Sequence, residues 1–108
     1  MDSKYMIVFV TAPTGDDGCA IARALVREKL AACVNILPGI RSIYTWEGEV
    51  CEDDEVLLII KTRGEIFEAL SAMVKEVHPY DVPEVIAAPL TAGAADYLNW
   101  IDQVTPAK

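Results

Sequence analysis

The first third of the chain shows one pattern typical of a strand and one typical of a helix. Residues 5–10 form an unbroken apolar run rich in β-branched and aromatic side chains, which predicts a strand covered on both faces. Pro13 and Gly15 mark its end. From Asp16 onward, apolar side chains recur at helical spacing, and this pattern predicts a helix down to about Leu30.

The middle of the chain predicts a long β-hairpin. One arm covers residues 32–46 with a bend at residues 38–39, a tight turn follows at residues 47–48, and the other arm covers residues 49–61. Each arm has about 13 strand residues and spans on the order of 40 Å, whereas a compact domain of this length has a radius of gyration of only about 13 Å. The outer end carries the large apolar residues Ile43, Tyr44, Trp46 and Val50. We therefore expect another copy of the chain to cover this end.

The second half of the chain predicts a helix and a strand. Thr62 and Glu65 have the spacing of a capping box, and apolar side chains follow at helical spacing over residues 66–77. Pro79 ends this helix, because the residue before a proline is pushed out of the helical region. Residues 82–90 then predict a short strand, whose two prolines favour an edge position.

A last helix is predicted after residues 91–93 by a stripe of apolar side chains, namely Tyr97, Trp100, Ile101 and Val104. The element order is therefore strand, helix, strand, strand, helix, strand, helix. This order predicts an α+β fold, a ferredoxin-like βαββαβ sandwich with an extra C-terminal helix and a long protruding hairpin. Because no repeat or linker interrupts the chain, we expect one domain over residues 1–108.

Composition and charge exclude several classes of function. The 108 residues carry 17 acidic and 9 basic side chains, a formal net charge of -8, and the basic residues are scattered, which argues against nucleic-acid binding. The apolar runs are too short for a transmembrane helix, and the first residues lack the shape of a signal peptide. The 3 cysteines do not form the pattern of a disulfide framework. We therefore expect a cytoplasmic protein that binds neither nucleic acid nor membrane.

Candidate chemistry is concentrated around the single histidine. The chain lacks the common motifs of nucleotide-binding, hydrolytic and zinc enzymes, so we do not expect catalysis. His78 begins a segment, residues 78–84, that brings together one imidazole, one phenol and two carboxylates. Imidazole is a common metal ligand, but a tight site needs further donors. Two alternatives stay open: a metal site, and a turn in which His78 and Tyr80 form local hydrogen bonds.

The acidic run over residues 47–55 also has two interpretations. It lacks the ordered loop pattern that wraps calcium. A solvated hairpin end, whose charges prevent edge-to-edge aggregation, is the interpretation that the pattern favours.

Several separated motifs follow one another in an order typical of one family. They are Leu30-Ala31-Ala32-Cys33-Val34-Asn35-Ile36, Pro38-Gly39-Ile40, Ser42-Ile43-Tyr44-x-Trp46-x-Gly48, Lys61-Thr62, His78-Pro79-Tyr80-x-x-Pro83-Glu84 and Tyr97-Leu98-x-Trp100. In these motifs, which extend over nearly the whole chain, the sequence closely resembles the CutA family of divalent-cation tolerance proteins.

The resemblance implies a cytoplasmic homotrimer in which the hairpins reach across to neighbouring subunits, similar to the PII-type nitrogen-signalling trimers. It also implies a role in tolerance to copper and other divalent ions, without turnover. Copper-binding members have a cysteine at the position of Val10 and a histidine at the position of Val77, so this chain retains only His78 of that set. We therefore expect no obligatory cofactor and a weakly bound divalent metal such as copper. The weaker site would combine His78 with Cys33, Tyr80 or Glu84.

The remaining family-type residues imply a cleft between subunits. They are Cys33, Tyr44, Trp46, Lys61, Tyr80 and Glu84. Lys61 either offers a cation to an anionic ligand, with Glu84 opposite, or forms an intersubunit ion pair with Glu84 that sets the register of the trimer. The leading hypothesis is thus a homotrimeric metal-response protein, and the alternative is a PII-like trimer that senses a small ligand or acts as a scaffold. The sequence identifies no partner protein.

Overall fold

A computed structural model describes residues 4–106, so the predicted domain boundaries at residues 1 and 108 lie outside the described residues. The described elements are β1 (Tyr5–Pro13), α1 (Asp17–Arg27), β2 (Cys33–Trp46), β3 (Glu49–Arg63), a 3-10 turn (Gly64–Ile66), α2 (Phe67–Val77), β4 (Val85–Pro89) and α3 (Ala95–Val104). This order confirms the predicted elements. None of these helices is long and apolar enough to cross a membrane.

The four strands form one antiparallel sheet in the order β2-β3-β1-β4. β1 lies inside the sheet, where Phe9 pairs with Ile59 of β3 and with Ile86 of β4. β2 and β3 form the hairpin, and β2 and β4 are the two edge strands. The topology confirms the predicted ferredoxin-like α+β fold with an added C-terminal helix.

Helices α1 and α2 cover one face of the sheet. The side chains of β1 alternate between buried and half-buried positions, and the buried ones face these helices. The core includes Met6, Val8, Val10, Leu58 and Ile60 from the sheet, and Ile21, Leu25, Leu70 and Val74 from the helices. Removal of this apolar surface from water is the main force that stabilises the subunit.

The opposite face of the sheet is covered at only one end. There the contacts that attach α3 and the following Thr105 include a hydrogen bond from the Tyr5 hydroxyl to the Asp102 carboxylate at 2.7 Å. They also include one from the buried Arg63 guanidinium to the Thr105 hydroxyl at 3.2 Å. Cross-strand pairing places further apolar side chains on this face, namely Phe9, Leu37, Leu57, Ile59 and Ile86. For the single subunit, the prediction that β1 is covered on both faces is wrong, because the 10 residues of α3 extend only about 15 Å.

The hairpin bends at Pro38-Gly39, as predicted. The register of β2 against β3 shifts between Leu37 and Ile40, and Gly39 has a φ angle of 81°, which residues with a Cβ atom rarely adopt. Beyond the bend, the two strands run to the turn at Glu47-Gly48. The molecule is consequently elongated, with extents of 43 × 25 × 23 Å.

The end of α1 and the start of β4 differ from the predicted positions. α1 ends at Arg27 instead of near Leu30, because Lys29 adopts a left-handed φ of 61° and the Leu30 N–H donates to the Leu25 carbonyl at 2.9 Å. β4 begins at Val85 instead of residue 82, because Pro83 has no N–H group to donate to a neighbouring strand.

The predicted capping box at Thr62 and Glu65 is wrong. Thr62 still belongs to β3, and its buried hydroxyl donates to the Leu30 carbonyl at 2.7 Å. Glu65 instead pairs with Arg63. The helix therefore begins later, at Phe67, after the 3-10 turn and without a side-chain cap.

Gly18 lies where α1 packs closely on the sheet. A Cβ atom at this position would be 2.9 Å from Cγ2 of Val56, and valine is stiff at χ1. We expect Gly18→Ala to lower the free energy of unfolding by about 1 kcal/mol, because overpacking of ~2 kcal/mol exceeds the helix-propensity gain of at most ~1 kcal/mol. Urea denaturation measures this difference. Ala20→Gly, at an exposed position of the same helix, reports the propensity effect separately. A Gly18→Ala protein more stable than wild type would contradict the contact.

Candidate functional site

A cleft lies between the hairpin and the 78–84 loop, the segment that leads from α2 to β4. Its volume is about 600 Å³. Three aromatic side chains, Tyr44, Trp46 and Tyr80, and three acidic ones, Glu55, Asp81 and Glu84, contribute to its lining. Among the described residues, no lysine, arginine or histidine lines it. The cleft is therefore suited to a ligand with positive charge and apolar surface.

His78 fixes the start of the 78–84 loop. It is buried at the C-terminal end of α2, where its backbone turns to an extended conformation before Pro79. Its Nδ1 atom accepts a hydrogen bond from the Tyr80 N–H at 3.1 Å, and its Nε2 atom lies 2.8 Å from the Thr11 carbonyl oxygen. Because Nδ1 is an acceptor here, the proton resides on Nε2, which donates to Thr11. Nε2 thus holds the loop against β1, and Nδ1 fixes the turn at Tyr80.

Tyr80 connects the loop to the hairpin. Its hydroxyl donates to Oε2 of Glu55 at 2.8 Å, and its ring packs on the His78 ring with the centroids 4.7 Å apart. Partial burial, and then the hydrogen bond to Glu55, raise the pKa of the Tyr80 phenol. The phenol therefore stays protonated at neutral pH and continues to donate.

Glu55 is a buried carboxylate that has no basic partner among the described residues. Only 5% of its surface is exposed, and it forms no salt bridge within residues 4–106. Within the described chain, the side chain that donates a hydrogen bond to it is the neutral phenol of Tyr80. A buried charge is costly unless a charge of opposite sign approaches it, so this carboxylate favours a cation in the cleft.

Tyr44 forms a second pair of a phenol and a carboxylate farther along the hairpin. Its hydroxyl donates to the Asp53 carboxylate, and this hydrogen bond raises the pKa of Tyr44 to about 12. Tyr44 and Trp46 are alternate residues of β2, so both point to the same side of the strand. Both side chains remain more than one-third exposed in the single subunit.

The structure brings four of the predicted cleft residues together, namely Tyr44, Trp46, Tyr80 and Glu84. Cys33 and Lys61 do not line this cleft in the single subunit. The two residues are cross-strand partners on β2 and β3. Lys61 lies four residues along β3 from Leu57, which pairs with the cleft residue Thr11, and this separation is about 13 Å. The Lys61 ammonium donates to the Asn35 amide oxygen. Their place in a cleft between subunits stays a prediction.

The geometry around His78 limits its availability to a metal. Both ring nitrogens are hydrogen-bonded, and within residues 4–106 no group of three or more His, Cys, Asp or Glu side chains could hold a metal ion. Val10 is fully buried in the core, whereas Val77 is 42% exposed. Cys33 lies too far along the sheet to join His78 in the same subunit. His78 therefore forms the local turn, and it can bind a metal only if the metal replaces one of these two hydrogen bonds.

Glu55, Asp81, Thr11 and Ser42 are lining residues that the predicted set did not include. Glu55 belongs to an acidic run that predicts a solvated hairpin end, and the neighbouring Glu52, Asp53 and Asp54 are indeed exposed. Glu55 is buried because Pro13 pairs beside it and Tyr80 bonds to it. The sequence feature that indicates burial of Glu55 is its position directly before the apolar run at residues 56–60, where the hairpin joins the globular part of the subunit.

Comparison with known proteins gives consistent matches. The family model described as CutA1 divalent ion tolerance protein matches residues 6–104. The protein CutA, chloroplastic, from Arabidopsis thaliana is 53% identical over 100 residues, which are 93% of this chain and 55% of that protein. The divalent-cation tolerance protein CutA from Thermus thermophilus is 50% identical over 99 residues, which are 92% of this chain and 96% of that protein. This chain thus spans about half the length of the Arabidopsis relative.

A solved structure agrees with these matches. The crystal structure of CutA1 from Oryza sativa has a TM-score of 0.94 and 49% sequence identity, and the match covers 98% of this chain and 97% of that one. The match in sequence and in fold extends over the sheet, the hairpin and the 78–84 loop. It confirms the family resemblance of the motifs. The chain therefore belongs to the CutA1 family of divalent ion tolerance proteins.

Proposed function

We propose that this protein acts in tolerance to divalent metal ions, copper among them, as a cytoplasmic homotrimer that binds these ions weakly and without turnover. The observation that carries the proposal is the acidic cleft, which joins a buried, uncompensated Glu55 to further carboxylates and contains no basic side chain from the described residues. The family descriptions support the role in tolerance. The three free cysteines support a reducing compartment such as the cytoplasm.

The open sheet face supports assembly into a trimer. Apolar side chains on that face, such as Ile86 at 55% exposed, would be an aggregation hazard if they stayed in water. The hairpin adds Trp46 at 47% and Val50 at 76% exposed, well away from the core of its own subunit. Neighbouring copies of the chain would cover both regions, as predicted from the length of the hairpin.

The spacing of the carboxylates supports weak binding of cations. Glu55 lies on β3, whereas Asp81 and Glu84 lie on the 78–84 loop, and these groups do not converge on one point within the described chain. Tight metal sites need several donors around one ion. Dispersed carboxylates attract a divalent ion mainly by charge, which gives modest affinity.

We keep His78 as the proposed nitrogen ligand for copper or zinc. A metal at Nε2 would replace the Thr11 carbonyl as the partner of the ring. The lost hydrogen bond costs about 1 kcal/mol, and this cost is a second reason to expect modest affinity. Tyr80 and Glu84, the oxygen donors expected beside His78 in the weaker site, follow on the same loop.

Calorimetric titration with Cu²⁺ and Zn²⁺ tests this proposal. We expect the wild-type protein to bind, and His78→Gln to bind at least tenfold more weakly, a loss of about 1.4 kcal/mol, because a nitrogen donor is removed. Glu52→Gln, which changes an exposed hairpin residue outside the cleft, should bind like wild type. Equal isotherms for wild type and His78→Gln would exclude His78 as a ligand. No heat with any of the proteins would contradict cation binding as a whole.

A second candidate function is the sensing of a small ligand by a PII-like trimer. The volume of the cleft, about 600 Å³, favours it, because pockets for small organic ligands have volumes of roughly 300–1,000 Å³. A bare metal ion would occupy only a small part of this space. Titration with small metabolites of either charge tests this candidate independently of copper and zinc.

A further inference from the structure

We infer that the cleft binds an organic cation with two or more ammonium groups on an aliphatic chain, such as a diamine or a polyamine. This inference rests on the second candidate function and names its class of ligand. It differs from the expectation based on Lys61, which was an anionic ligand.

The charge of the cleft selects a cation. Glu55 lines the cleft and is 95% buried, and no basic side chain of residues 4–106 pairs with it. Asp81 and Glu84 add two more carboxylates to the lining. In the single subunit Lys61, the cation expected to attract an anion, instead donates to Asn35 and does not line the cleft. An anion would therefore meet only repulsion from these side chains.

The aromatic side chains select an organic cation over a metal ion. Tyr44 and Tyr80 contribute apolar ring faces to the same cleft. Ammonium groups are attracted to such faces, and methylene groups between them gain apolar contacts. A hydrated metal ion gains little from either contact.

Because the carboxylates of the cleft are separated, they favour a ligand that carries more than one ammonium group. The carboxylates do not form a group that could hold one metal ion, and Glu55 approaches from the hairpin while the other two approach from the 78–84 loop. A chain with several ammonium groups can place one charge beside each of these positions. The cleft volume of about 600 Å³ leaves room for such a chain.

Binding of spermidine, a linear triamine, tests the inference on the protein in its native oligomeric state. Calorimetry at constant ionic strength is expected to show saturable binding to wild type and at least tenfold weaker binding to Glu55→Gln. Glu52→Gln is the matched control, because it removes the same charge from an exposed position on the same strand. It should leave the affinity within twofold of wild type. Circular dichroism checks the fold, and Glu84→Gln, at an exposed position, replaces Glu55→Gln if the latter unfolds.

Several results would overturn the inference. The inference is wrong if spermidine does not bind, or if Glu55→Gln binds it as tightly as wild type. It is also wrong if Glu52→Gln loses as much affinity as Glu55→Gln, because such a result indicates unspecific attraction by net charge. Citrate serves as an anionic probe. If citrate binds in the cleft and spermidine does not, the inference fails while the small-ligand function survives. Binding of copper and zinc is measured separately, so a failure with spermidine leaves that proposal standing.

Discussion

Trp46→Ala is expected to raise the protein concentration at which half of the proposed trimer dissociates by roughly 100-fold. Buried aromatic anchors at interfaces contribute about 2 kcal/mol or more each, so three copies contribute about 6 kcal/mol per trimer. Dissociation of one trimer gives three subunits, so the midpoint concentration varies as the square root of the dissociation constant. In the single subunit Trp46 is 47% exposed, and its replacement should therefore affect the fold of one chain far less.

Sedimentation velocity over a dilution series measures the effect of Trp46→Ala. Val26→Ala is the control, because Val26 is an exposed apolar residue on α1, on the helical side of the sheet. We expect this control to dissociate like wild type. A Trp46→Ala protein that stays trimeric at every concentration would show that Trp46 lies outside the interface. A wild-type protein that sediments as a stable monomer would contradict the trimer itself.

The second large effect is expected from Leu58→Ala, which should lower the free energy of unfolding by about 3 kcal/mol per subunit. Leu58 is fully buried in the core between the sheet and helices α1 and α2. Truncation of a buried leucine removes apolar contacts and leaves a cavity. Urea denaturation followed by circular dichroism measures the loss, which we expect at every protein concentration.

Leu57→Ala is the matched variant for this measurement, since Leu57 precedes Leu58 on β3 and points to the opposite face. That face is half-buried in one subunit and would be covered by its neighbours in the trimer. We expect the stability loss of Leu57→Ala to grow on dilution, because the contacts that it removes lie between subunits. A loss independent of concentration would contradict the proposal that neighbouring subunits cover this face.

The sequence predicted the fold well because its elements have strong local patterns. The apolar run at residues 5–10, the helical spacing after Ile66 and the turn at Glu47-Gly48 each follow from neighbouring residues alone. The capping box at Thr62 failed for a different reason. Its hydroxyl bonds to Leu30, which is 32 residues away, and a tertiary contact of this kind replaces the local one without any trace in the local pattern.

The site was predicted less completely, because it depends on register and on loop placement. The family motifs identified Tyr44, Tyr80 and Glu84, which the structure places around one cleft. They also included Lys61, which the register places near Cys33, about four residues farther along the sheet. Glu55 was missed because burial of a carboxylate depends on where the 78–84 loop crosses the hairpin, and only the folded chain determines that.

The central position of β1 has a consequence for the order of folding. Within the sheet β1 comes first along the chain, and its partners β3 and β4 lie roughly 50 and 80 residues later. Loops of that length close slowly compared with local contacts, and folding rates fall as contacting residues become more distant along the sequence. During synthesis β1 therefore stays unpaired until β3 emerges, and unpaired apolar strand edges of this kind are prone to aggregation.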